Sequence, residues 1–118
     1  MKDISGIDEL DEFILENVNN DMVILLYFGA AWCGPCKQLK KRLDEPETHK
    51  LMPKLVVAYM DVDDDSNSKL LKRYKIESLP TQIYIKVNNH NVVEVNRIEG
   101  YDFTKLKIDY DLYISSNQ

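Results

Sequence analysis

Apolar positions run along the chain in two rhythms, and the switches between them predict its elements. Ile7, Leu10, Phe13 and Ile14 recur near a 3.6-residue period behind a Ser5-x-x-Asp8 capping pattern, which predicts an amphipathic helix opening at Ser5. After the turn-rich Asn17 to Asp21, the run Met22-Val-Ile-Leu-Leu-Tyr-Phe28 is short and continuously apolar, as in a strand buried on both faces. It is the expected central strand. Gly29 to Ala31 then lead through Trp32 and two cysteines into a helix with Cys36, Leu39 and Leu43 on one face and Lys37, Lys40, Lys41 and Arg42 elsewhere. Pro46 ends that helix or bends the chain beyond it.

Leu55 to Val62 read as a second buried strand, and Asp63 to Ser68 as a loop with caps for a short helix carrying Leu70, Leu71 and Tyr74. Thr81 to Val87 and Val92 to Ile98 flank Asn88-Asn89-His90-Asn91, the pattern of an antiparallel hairpin. Asp102 to Ile114 close as a helix with Phe103, Leu106, Tyr110, Tyr113 and Ile114 on one side. Early strand-helix-strand alternation followed by a hairpin and a terminal helix predicts an α/β fold: a mixed central sheet flanked by helices on both faces. With no linker, repeat or low-complexity stretch, residues 1–118 are expected to form a single domain.

Composition narrows the functions. A chain of 118 residues with 44% hydrophobic residues can bury roughly two thirds of its unfolded surface, so its core needs no staples. Its 15 Lys and Arg against 20 Asp and Glu give a net charge of −5, which supplies no basic footprint for nucleic acid or anionic lipid. Met1 to Glu12 is acidic where an export signal is basic and then apolar. The apolar run from Met22 to Ala31 has about half the length that spans a bilayer. A cytoplasmic location is the expectation.

The two cysteines are too close in sequence for a disulfide between them to close a loop worth much chain entropy, so a pairing serves chemistry. Trp32-Cys33-Gly34-Pro35-Cys36-Lys37 sits where a strand hands over to a helix. There a sulfur meets unsatisfied N–H groups and the positive end of the helix dipole, which favour thiolate over thiol. A thiol with pKa near 8.5 is only about 3% ionised at pH 7, and one lowered to about 7 is half ionised. Two intervening residues put Cys36 one turn inside the helix, within reach of a mixed disulfide on Cys33. Pro35 lacks an N–H that the first helical turn leaves unpaired anyway. The same spacing serves as half of a tetrahedral zinc site, which needs two more ligands. Only His49 and His90 are available, without the short mutual spacing of such sites, so no metal is expected. Asp61, Asp63, Asp64 and Asp65 lack the central Gly and the final Glu of a calcium loop and read as a solvated turn. The cations at 37, 40, 41 and 42 read as a solvated helix face or as steering for acidic partners.

From Met22 to Gly100 the chain resembles the thioredoxin family. The resemblance rests on the apolar strand, Trp-Cys-Gly-Pro-Cys-Lys, Asp61-Val-Asp63, Tyr74-Lys-Ile76, Leu79-Pro80-Thr81 and Gly100. It implies the thioredoxin fold and dithiol-disulfide exchange without a cofactor, Cys33 attacking and Cys36 resolving. It also implies a cis Pro80 facing the disulfide, backbone pairing of Leu79 with a substrate peptide, and a docking surface made by Trp32, Gly34, Pro35, Pro80 and Gly100. The implied partners are disulfide-containing proteins and, as electron donor, a thioredoxin reductase, with the chain acting as a monomer.

The departures from the family are specific. The buried Asp that many members carry six residues before the first cysteine is Tyr27 here, and its Lys partner on the neighbouring strand is Tyr59. A phenol cannot act as a carboxylate-like base at neutral pH, although its O–H can orient a water, hydrogen-bond a thiolate, or simply pair while the rings fill space. The family's mid-helix proline is absent near Lys41, and Asp44-Glu-Pro-Glu-Thr-His49 resembles the thioredoxin-like domains of thiol-disulfide interchange proteins. The leading expectation is a protein-disulfide reductase. An oxidant or isomerase, and a thioredoxin-fold binding module whose cysteines turn over slowly, are its alternatives.

Overall fold

A computed structural model describes residues 1–116. Its elements are β1 (Lys2–Ile4), α1 (Ile7–Val18), β2 (Val23–Gly29), α2 (Gly34–Asp44), α3 (Pro46–Leu51), β3 (Leu55–Asp61), a 3-10 turn (Asp65–Asn67), α4 (Ser68–Arg73), β4 (Thr81–Asn88), β5 (Asn91–Glu99) and α5 (Phe103–Ser116). The five strands form one sheet in the order β1-β3-β2-β4-β5, parallel from β1 to β2 and antiparallel beyond. β2 lies at the centre with every residue buried.

Its alternate residues face two cores. Ile24, Leu26 and Phe28 join Leu10 and Ile14 of α1 and Leu70 of α4. Val23, Leu25 and Tyr27 join Leu39 and Leu43 of α2 and Leu106 and Tyr110 of α5. A strand buried on both faces has no polar side to declare, which is why its sequence is a run and not an alternation.

The N-terminus adds one element and overturns one expectation. β1 is not legible in the sequence: three residues, of which only Ile4 is buried, carry no periodicity. Ser5 does not cap a helix, and the helix begins two residues later. Ser5 Oγ instead donates to Asp64 Oδ2 at 2.6 Å, and Gly6, at the N-cap position, donates its N–H to Asn67 Oδ1 at 2.8 Å. Pairing of Ile4 with Met60 holds the chain in the sheet until just before Ser5, and its hydroxyl is drawn to the β3–α4 loop. Asn67 is fully buried and also donates through Nδ2 to the carbonyls of Ile4 and Asp61, stitching β1, α1 and the end of β3 together.

Elsewhere the differences are of one or two residues, except that Pro46 opens a separate helix. It occupies the first turn of α3 after the extended Glu45, so His49 lies on a helix. In the hairpin Asn88 pairs with Asn91, leaving Asn89 and His90 as a two-residue turn with φ of 51° and 68°. Positive φ at both central positions matches the right-handed twist of the flanking strands.

Candidate functional site

α2 begins at the cysteines because Cys33 is its N-cap. Its backbone is extended (φ −86°, ψ 115°), and Sγ accepts the Cys36 N–H at 3.2 Å. A sulfur in that position replaces the usual Ser or Asp cap oxygen and sees the positive end of the helix, which stabilises a thiolate. Cys33 and Cys36 form a disulfide with their Cα atoms 5.2 Å apart. They are 6% and 2% exposed and pack with Ala30, Val62 and Leu79.

Of the residues expected to make a docking surface, Leu79 packs against this pair, and the others are held by their own elements. Trp32 is 68% exposed and is oriented by donating Nε1–H to Asp63 Oδ2 at 2.8 Å. Gly34 and Pro35 are exposed at the start of α2, and nothing lies within 4 Å of where a Gly34 side chain would begin. The Leu79–Pro80 peptide bond is cis, Pro80 is buried, and its carbonyl accepts the Gly100 N–H at 2.8 Å. Gly100 has φ of 92°, a conformation that favours glycine, and its own carbonyl accepts from Gln82 Nε2. The loop ahead of Pro80 is braced from the sheet. Ser78 Oγ donates to Glu99 Oε2, and Thr81 Oγ1 donates to the Ser78 carbonyl. Arg97 Nη2 donates to the Tyr74 carbonyl at 2.6 Å. Ser78, Glu99 and Arg97 carry no sequence motif that would single them out.

Tyr27 and Tyr59 face each other across the β2/β3 ladder, edge to face, with centroids 4.9 Å apart. The Tyr27 hydroxyl donates to the Cys36 carbonyl at 2.5 Å, so of the roles open to it, it pairs with backbone while its ring fills space, and it does not serve a thiolate or a water. A phenol carries its oxygen farther from the strand than a carboxylate does, into the first turn of α2. Burial first, then the neighbouring Tyr59 and Asp44, push its ionisation far above the usual tyrosine value. Burial, followed by Asp61, Asp3 and Asp63, raises that of Tyr59 as well. Gly29 makes this packing possible. A Cβ there would stand 2.9 Å from Tyr27 Cε1, 3.2 Å from Tyr59 Cε1 and 3.3 Å from Cys36 Sγ.

An open cleft of about 650 Å³ lies beside the pair, between α2 and the β1/β3 edge, with Cys36, Tyr27, Tyr59 and Asp61 among its walls. Lys40 Nζ lies 5.1 Å from the centroid of the Tyr59 ring. Arg42, by contrast, is turned inward over Phe103 and pairs with Glu45. Asp63 and Asp64 are occupied by Trp32, Ser5 and the Ser66 N–H, in keeping with a solvated turn. His49 and His90 do not line the cleft.

Comparison with known proteins decides the family. A thioredoxin family model matches residues 7–108. The chain belongs to the thioredoxin family of thiol-disulfide oxidoreductases. Thioredoxin-T of Drosophila melanogaster is 34% identical over 82 residues, 70% of this chain and 49% of that protein. Thioredoxin of Haemophilus influenzae is 39% identical over 88 residues, 73% of this chain and 77% of that one. Thioredoxin of Trichomonas vaginalis superimposes with a TM-score of 0.79 at 24% identity, covering 96% of each chain. The matched part of this chain thus spans about half the length of the Drosophila relative and nearly all of the Trichomonas structure. The fold is the thioredoxin fold, with the Cys33–Cys36 disulfide at the N-terminus of α2. Among the described residues, no helix is long and apolar enough to cross a membrane.

Proposed function

We propose that this thioredoxin reduces disulfides in proteins, as a cytoplasmic monomer recharged by a thioredoxin reductase. The Cys33 thiolate attacks a substrate disulfide, one substrate sulfur leaves as a thiolate, and Cys33 is left in a mixed disulfide. Cys36 then loses its proton and attacks Cys33 Sγ, releasing the second substrate sulfur and closing the Cys33–Cys36 bond. The donor returns two electrons and two protons to restore the dithiol. Trp32, Gly34, Pro35, Leu79, Pro80 and Gly100 form the surface on which the substrate docks. The observation that carries this reading is the position of Cys33 Sγ as the N-cap acceptor of α2, with Cys36 one turn behind it. Catalysis is then mainly thiolate stabilisation and positioning.

The experiment is the equilibrium reduction potential of the pair, by thiol alkylation and intact mass across defined dithiol poises. Thioredoxin at about −270 mV and a strong oxidant at about −120 mV bracket the scale. A two-electron transition below about −240 mV is expected, and a value above about −200 mV overturns the reductant reading in favour of an oxidant or isomerase. Failure to form the disulfide assigns the chain to the binding modules.

A further inference from the structure

Cys36 must lose a proton before it can resolve the mixed disulfide, and β2 itself offers no carboxylate to take it. Position 27 is a tyrosine whose hydroxyl is committed to the Cys36 carbonyl. We propose that Asp61, at the end of β3, receives that proton through water in the cleft beside α2. This rests on the reductase reading above and assigns a proton route to its second step.

Three observations support Asp61. It is the ladder partner of Gly29, so its backbone lies about 4.8 Å across the sheet from the residue whose absent side chain opens toward Cys36 Sγ. Its side chain shares a face with Tyr59, two residues earlier in the strand, and lines the same cleft as Cys36. Its Oδ1 accepts the Asp63 N–H at 2.9 Å, whereas Oδ2 accepts no hydrogen bond from the described residues. The space of about 650 Å³ has room for the waters such a relay needs.

The other carboxylates of the cleft are less well placed. Asp64 has both oxygens engaged, by Ser5 and the Ser66 N–H. Asp3 sits one strand farther out, opposite Tyr59, and Glu9 projects from α1. The cations facing the cleft, Lys37 and Lys40 of α2, cannot accept a proton while charged, and Tyr27 and Tyr59 are neutral. In the step, the Cys36 S–H proton passes through water to the Asp61 carboxylate. The Cys36 sulfur bonds to Cys33 Sγ as the Cys33–substrate bond breaks, and the substrate sulfur keeps the bonding pair. The proton then leaves to bulk water through the open mouth of the cleft.

Stopped-flow mixing of the reduced protein with 5,5′-dithiobis(2-nitrobenzoate) separates the two steps. The first thionitrobenzoate reports attack by Cys33 and the second reports resolution by Cys36. In Asp61→Asn, which keeps an oxygen to accept the Asp63 N–H, the first phase is expected to match wild type and the second to slow about tenfold at pH 7. Added formate restores much of the rate of the variant's second phase, and Asp61→Glu retains the wild-type rate. An unchanged second phase in Asp61→Asn, or equal slowing of both phases, overturns the proposal. Absence of a first phase in the wild-type protein overturns the reductase reading itself.

Discussion

The Tyr27 hydroxyl donates a hydrogen bond to the Cys36 carbonyl, 2.5 Å away, tying the middle of the central strand to the first turn of the helix that carries the redox pair. The bond involves backbone and not sulfur, so reduction of the pair removes neither of its partners. Tyr27→Phe keeps the ring and removes only the donor. Stability is expected to fall by about 1 kcal/mol, read as a lower urea midpoint at unchanged slope. The reduction potential of the pair is expected to stay at its wild-type value. A shifted potential would mean that the hydroxyl serves the sulfur.

Gly29 is the point at which both tyrosine rings and the Cys36 sulfur converge. Gly29→Ala places a methyl group 2.9 Å from Tyr27 Cε1, closer than carbon atoms pack, and the other two neighbours leave it nowhere to turn. Overpacking of this kind is expected to cost about 2 kcal/mol. In a Tyr27→Leu background the nearest ring atom is gone, so the same substitution should cost less by about 1 kcal/mol. A double-mutant cycle read by urea unfolding measures that coupling.

Tyr27 and Tyr84 are both fully buried, and burial pushes their ionisation far above the usual value near 10. That direction sets the sign of the linkage between pH and stability. Below pH 10 both are protonated in folded and unfolded chains, and their contribution is fully present. As pH rises past about 10, the unfolded chain releases these protons and the folded one holds them, so stability falls. Urea midpoints measured from pH 8 to 11 should decline in the upper part of that range, and Tyr84→Phe should flatten the decline. Tyr84 also donates to the Leu106 carbonyl at 2.6 Å, so that variant starts from a lower plateau.

The central strand, the redox helix and the hairpin were legible because each carries a period or a turn signature within a few residues. Cys36, Leu39 and Leu43 share one buried face of α2, as their spacing requires. What escaped is what depends on contacts distant in sequence. Ser5 reads locally as a helix cap, yet its hydroxyl is drawn to Asp64, 59 residues on. Asn67 reads as one more polar loop residue, yet it is buried and bonds to Ile4, Gly6 and Asp61. The two tyrosines could be named as a replaced pair from their positions alone. The destination of the Tyr27 hydroxyl, a carbonyl on another element, could not.

Arg97 is the clearest case of a residue that acts from outside on the loop leading into Leu79 and Pro80. From β5 it donates to the Tyr74 carbonyl at 2.6 Å, where α4 ends, and to the Lys75 carbonyl at 3.4 Å, while Nη2 and Nε also donate to Glu94 at 2.8 and 3.0 Å. The segment it grips runs directly into Leu79 and Pro80. Arg97→Gln is too short to span both contacts and releases one end of that segment. The Glu94 pair is partly exposed, with Arg97 and Glu94 side chains 24% and 39% accessible, so the loss of stability should stay at about 1 kcal/mol. Looser positioning of the backbone beside the disulfide should raise KM for a protein disulfide about threefold, with kcat little changed, because an ordering cost is then met on binding. Reduction of the Cys33–Cys36 disulfide by dithiothreitol, which needs no docking surface, should proceed at the wild-type rate. If both reactions slow together, Arg97 supports the redox pair itself and not the loop that presents substrate to it.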